Sequence, residues 1–185
     1  DFDQRITDED PETVAAFFAE PIMGAGGVIT PPKTYFEKIQ AVLKKHDVLF
    51  VADEVICGFC RTGNFWASET FNIEPDILVC AKALSSSYLP ISGTMISDDI
   101  YQAIADASSK LGVFGHGYTY SGHPVCAAVA LHTAGVVAHG ANYVHWFLGA
   151  LSGAFWIMQL QYWHVSFSVR LYLVAIALFS CSASD

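Results

Sequence analysis

The sequence predicts an α/β fold, a mostly parallel sheet flanked by helices, and three observations carry that expectation. Short apolar runs that suit buried strands alternate with longer amphipathic stretches, the pattern of repeated strand-helix-strand units. Clusters of glycine and proline separate them. The chain has 185 residues, 53% hydrophobic and 15% charged, room for about one domain with a sizeable core.

Taken in order, residues 14–19 (Val-Ala-Ala-Phe-Phe-Ala) read as the first strand and residues 24–27 as a turn. Residues 32–45 read as an amphipathic helix and residues 48–52 as a second strand. A polar loop containing Gly58 and Gly63 follows, then a strand over 77–81 and a short one over 93–96. Asp98 or Asp99 is expected to cap a helix that runs to about Lys110. The glycines and proline of residues 112–124 predict a loop, a composition that commonly carries function, ahead of a small-residue helix from Val125 onward.

The formal net charge of -9 argues against a nucleic-acid or anionic-membrane surface, since no local basic patch offsets it. A small organic ligand fits better. Five cysteines, an odd number without the spacing of a disulfide framework, point to a reducing compartment. The chain opens at Asp1 with no initiator Met and reads as a piece of something longer.

Beyond Lys110 the only charged side chains are Arg170 and Asp185. Residues 134–185 therefore read as a compositionally foreign, hydrophobic tail, and a shifted reading frame or retained intron is the favoured explanation. The uncharged stretch 143–169 exceeds the ~20 residues that span a bilayer. His145, Gln159, Gln161 and His164 within it count against insertion.

Two ionisable residues stand where ligands gather in open α/β sheets, at the carboxyl ends of strands. Asp53 closes the run 48–52 and Lys82 closes the run 76–81. A buried lysine there can attack a carbonyl. An aspartate held as an anion can keep a bound pyridine nitrogen protonated, so the pair suits pyridoxal phosphate. A solvated surface lysine and a turn-capping aspartate are the plainer readings of the same spacing.

The wording around the pair is more specific. Residues 53–63 (Asp-Glu-Val-Ile-Cys-Gly-Phe-Cys-Arg-Thr-Gly) resemble the aspartate motif of class III pyridoxal-phosphate-dependent aminotransferases, and residues 81–84 (Ala-Lys-Ala-Leu) resemble their lysine motif. Residues 19–27 (Ala-Glu-Pro-Ile-Met-Gly-Ala-Gly-Gly) and 116–124 (His-Gly-Tyr-Thr-Tyr-Ser-Gly-His-Pro) resemble two further family segments in the right order. The resemblance covers roughly residues 14–131 and is nearest to omega-amino acid transaminases that use gamma-aminobutyrate or similar donors with pyruvate as acceptor.

The resemblance implies a large domain of the fold type I pyridoxal-phosphate enzymes over residues 1–133, with the tail 134–185 not family-like. It implies Lys82 as Schiff-base lysine and proton shuttle, Asp53 as pyridine-nitrogen partner and Val55 packed on a ring face. Thr119 would bind the cofactor phosphate across a homodimer interface, and Glu20 would lie near the substrate pocket unless it is a structural carboxylate. The reaction implied is a ping-pong exchange between an amino donor and a keto acid. The family usually has glycine where Cys60 stands, so Cys60 is expected to crowd a tight turn; the Cys57–Cys60 spacing is not read as a metal site.

A decarboxylase or aminomutase of the same fold shares these residues, and a non-catalytic fragment with a membrane-associating tail is the reading from another class. The expected compartment is the cytoplasm, with the mitochondrion as the alternative.

Overall fold

The computed structural model describes residues 1–138; the tail from 139, including the stretch 143–169, lies outside the described residues. Four strands form one sheet in the order β1-β2-β3-β4: β1 (Ala16–Ala19), β2 (Leu49–Asp53), β3 (Ile77–Cys80) and β4 (Gly93–Ile96). The first three are parallel, and β4 runs antiparallel to β3. The α/β class and the mostly parallel sheet are as the sequence predicts. The segment before β4 holds only a single 3-10 turn (Lys82–Leu84) in place of the helix that usually carries a parallel return, and β4 runs back antiparallel.

Five helices accompany the sheet among the described residues: α1 (Phe2–Asp8), α2 (Tyr35–Lys45), α3 (Ala67–Thr70), α4 (Asp98–Leu111) and α5 (Pro124–Ala138). α2 buries Phe36, Ile39 and Leu43, one stripe at helical spacing. The cap of α4 is Ser97, whose hydroxyl accepts from Ile100 N–H at 3.4 Å. Asp98 and Asp99 instead lie in its first turn, where their charge suits the helix dipole. α1 and α3 are additions to the predicted set. No helix among the described residues is long and apolar enough to cross a membrane.

Strand register assigns the faces. Phe17 pairs with Phe50 and Ala52 with Leu78, so Phe17, Phe50, Ala52, Leu78 and Cys80 share one side of the pleat. That side is the covered one. Phe36, Ile39 and Leu43 of α2 pack there with Val48, Phe50 and Ile73, while Phe59, Leu78 and Cys80 cluster with Phe65, Trp66 and the Ala134 and Val137 side chains of α5. Phe18, Val51, Asp53 and Val79 lie on the opposite side, where Phe18 is 70% exposed. The hydrophobic effect thus fixes Asp53 at the edge of the more open face.

Candidate active site at the carboxyl ends of three strands

β1, β2 and β3 point the same way, so the residues that follow them gather at one edge of the sheet. Glu20 follows β1, Asp53 ends β2 and Lys82 follows β3. Asp53 pairs in register with Val79, three residues before Lys82. The two predicted residues therefore leave adjacent strands at the same end.

The Asp53 carboxylate is oriented from its own backbone. Its Oδ1 accepts from Val55 N–H at 3.0 Å, the Asx-turn geometry that aspartate favours where a strand stops. Its other oxygen accepts no further hydrogen bond among the described residues. Val55, half-buried, is thus tied to Asp53 and stands beside it at the strand end.

The expected burial of Lys82 is not met in the described residues, because the chain leaves β3 at Ala81 and turns at once into the 3-10 segment that Lys82 opens. Lys82 has φ +45 and is exposed, as are Ser86 at φ +48 and Ser87 at φ +65. Left-handed backbone at non-glycine residues costs energy and clusters at functional sites. This turn lifts the amine off the end of the sheet rather than packing it into the core.

Glu20 has a structural partner: its Oε2 accepts from Gly24 N–H at 2.8 Å and closes the turn after β1. A Cβ at Gly24 would lie 2.6 Å from Ile56 Cδ1, so the backbone there comes close to Ile56. The turn carrying Glu20 consequently packs against the turn carrying Asp53. Cys57 Sγ reinforces that contact by donating to Ile22 O at 3.2 Å, and burial pushes its thiol up.

Thr119 lies in the loop between α4 and α5 and is exposed. No hydrogen bond joins it to Asp53, Val55 or Lys82 among the described residues. Within that loop Tyr118 N–H donates to Ser121 Oγ at 2.9 Å. Cys60 has φ +67 and follows Phe59 at φ +60, so the cysteine occupies a backbone state that glycine adopts freely.

Sequence reasoning passed over Glu54. It is 0% exposed, and its carboxylate accepts from Ser68 N–H and Ser68 Oγ, both at 2.6 Å, and from Ala67 N–H at 3.1 Å. Its place directly after Asp53, one step onto the covered face, is the signal that was present in the sequence.

The comparisons agree with this architecture. Residues 3–144 match the family model described as Aminotransferase class-III. Gamma aminobutyrate transaminase 3, chloroplastic, of Solanum lycopersicum is 61% identical over 128 residues, 69% of this chain and 25% of that protein. Probable gamma-aminobutyrate transaminase 2, mitochondrial, of Oryza sativa subsp. indica is 63% identical over 126 residues, 68% of this chain and 25% of that protein. The crystal structure of the omega transaminase from Pseudomonas jessenii in complex with PMP superposes with a TM-score of 0.74 at 55% identity, covering 76% of this chain and 31% of that one. The chain spans about a quarter of the length of the curated relatives it matches. With the strand order, the strand-end Asp53 and Lys82 and this match over most of its length, the chain belongs to the class III aminotransferases.

Proposed function

We propose that this chain carries the part of an aminotransferase that grips pyridoxal phosphate. The complete protein moves an amino group from an omega-amino acid or amine, of the gamma-aminobutyrate type, to pyruvate or a related keto acid. The carrying observation is that Asp53 and Lys82 leave neighbouring parallel strands at one edge, with one Asp53 oxygen oriented and the other open. That arrangement fits a flat, positively charged ring with an aldehyde on it. When bound, the cofactor supplies an electron-withdrawing ring that stabilises negative charge on the substrate carbon.

The residues of this chain then have distinct tasks. Asp53 would accept from the ring N–H of the bound cofactor and favour its protonated form by proximity of opposite charge. Lys82 would hold the cofactor aldehyde through its Nζ, and the same amine, when free, would be the group that moves a proton. Val55 would pack on a ring face, and Thr119 would bind the phosphate across the interface of a homodimer. Glu20 belongs at the rim of the substrate pocket, with its Gly24 bond holding it there.

The mitochondrial relative supports the mitochondrion over the cytoplasm for the compartment, and the chloroplastic relative adds the plastid as a further organelle. The family-like domain expected over residues 1–133 extends to at least the end of α5 at Ala138, and the family match to residue 144 supports placing the atypical tail beyond it.

Titrating the purified chain with pyridoxal phosphate is expected to raise a visible absorbance band. Lys82→Ala abolishes the band and Asp53→Asn shifts it. A colourless wild-type chain, or a Lys82→Ala variant as coloured as wild type, overturns the reading. In the complete protein, alanine formed from pyruvate without release of carbon dioxide separates amino transfer from decarboxylation.

A further inference from the structure

Glu54 is the only buried carboxyl group among the described residues, and the chemistry above does not use it. It has no exposed surface, so it cannot touch a ligand at the strand ends. Its three side-chain partners, Ala67 N–H, Ser68 N–H and Ser68 Oγ, are all donors. That set is the complement of a carboxylate, which only accepts.

The backbone of the same residue is held as firmly. Glu54 N–H donates to Val79 O on β3 at 2.8 Å, and Glu54 C=O accepts from Gly58 N–H at 2.9 Å. Residue 54 is therefore pinned to the neighbouring strand, to the turn 54–58 and to the start of α3. Asp53 immediately precedes this anchor on the opposite side of the pleat, and its carboxylate is tied to Val55, which immediately follows it. The oriented carboxylate and its guide amide thus bracket one immobilised residue.

From this juxtaposition we infer that Glu54 is a positioning residue: its buried carboxylate locks the end of β2 so that Asp53 meets the ring nitrogen of bound pyridoxal phosphate at a fixed angle. The inference rests on the reading given under Proposed function. The charge of Glu54 is also felt around it, contributing to the upward displacement of the Cys57, Glu69 and Cys80 side chains, behind burial in each case.

Glu54→Gln tests the inference, because it keeps the shape of the side chain but sets an NH2 group against donors. In the cofactor-free chain, hydrogen exchange at Val55 N–H is expected to quicken about tenfold, since the turn that protects it loses its anchor. In the loaded chain, the pH midpoint of the visible band is expected to rise by about one unit, a tenfold change in the protonation equilibrium. The direction follows from a less firmly protonated ring, which lets the Lys82 nitrogen keep its proton more tightly. Ser68→Ala, which removes one donor far from the cofactor, is expected to move both quantities the same way by less, and it decides the matter if Glu54→Gln does not fold. Wild-type values of either quantity in the folded variants overturn the inference. Failure of the function reading appears separately, as wild-type chain that takes up no cofactor at Lys82; the exchange at Val55 N–H then still reports whether Glu54 anchors Asp53.

Discussion

Gly58→Ala is expected to destabilise the chain by about 1–2 kcal/mol. An added Cβ would lie 2.9 Å from the Glu54 carbonyl oxygen, 2.9 Å from Trp66 Cζ3 and 3.1 Å from Trp66 Cε3. Neither neighbour can retreat cheaply. The carbonyl accepts the Gly58 N–H at 2.9 Å, and the Trp66 ring packs edge-to-face at 5.0 Å against both Phe59 and Phe65. Overpacking of this kind costs about 1–3 kcal/mol, and the smaller backbone entropy lost by alanine returns about 0.4–1 kcal/mol. For a chain of this size the difference corresponds to a fall in Tm of about 2–8 °C. Thermal unfolding followed by circular dichroism reads it. Gly135→Ala is the control: in the last turn of α5, nothing among the described residues beyond its chain neighbours and the helix's own backbone lies within 4 Å of the added Cβ, so it is expected to stabilise by up to about 1 kcal/mol. A Gly58→Ala chain as stable as wild type, beside a control that behaves as expected, would refute the packing argument for the turn after Asp53.

Cys60→Gly is expected to raise stability by up to about 1 kcal/mol, because a left-handed residue costs about 1–2 kcal/mol and the extra freedom of glycine offsets part of the relief; urea unfolding midpoints measure it, and a lowered midpoint contradicts it. Asp3 accepts from Lys45 Nζ at 2.8 Å and faces His46 Nε2 at 2.6 Å, tying α1 to the end of α2. The Lys45 hydrogen bond first, then that of His46, holds its carboxyl below the ordinary value of 3.8. A folded-state pKa that is depressed contributes stability above the unfolded value and loses it as pH falls through the folded one. Asp3→Asn is therefore expected to lower Tm at neutral pH, with the gap to wild type closing below about pH 4; a gap independent of pH contradicts the link.

Much of the fold was legible because apolar runs bounded by polar residues leave few alternatives to buried parallel strands, and β1, β2, β3 and α2 begin and end within a few residues of their expected places. α1 and α3 were not legible: α1 buries only Ile6, and α3 has four residues, too few to show a period. Ser97 was overlooked as a cap because the choice depends on its extended backbone (φ -67, ψ 159), which composition does not reveal. The strand-end positions of Asp53 and Lys82 were readable since a charge that ends an apolar run has one plausible place in a sheet. For Glu54 the sequence offered only its alternation with Asp53 onto the covered face; the donors that make it a buried anchor, Ala67 and Ser68, are brought to it by the fold. The exposure of Lys82 depends on a left-handed turn that no residue type announces.

Borohydride reduction of the chain loaded with pyridoxal phosphate, followed by peptide mapping, tests the central claim most directly. The account predicts the cofactor mass on the peptide that carries Lys82, in stoichiometric yield in wild type and in sharply reduced yield when Asp53→Asn is loaded at the same concentration. Cofactor found on Lys33, Lys38, Lys44, Lys45 or Lys110 in place of Lys82, or on Lys82 regardless of Asp53, would contradict it.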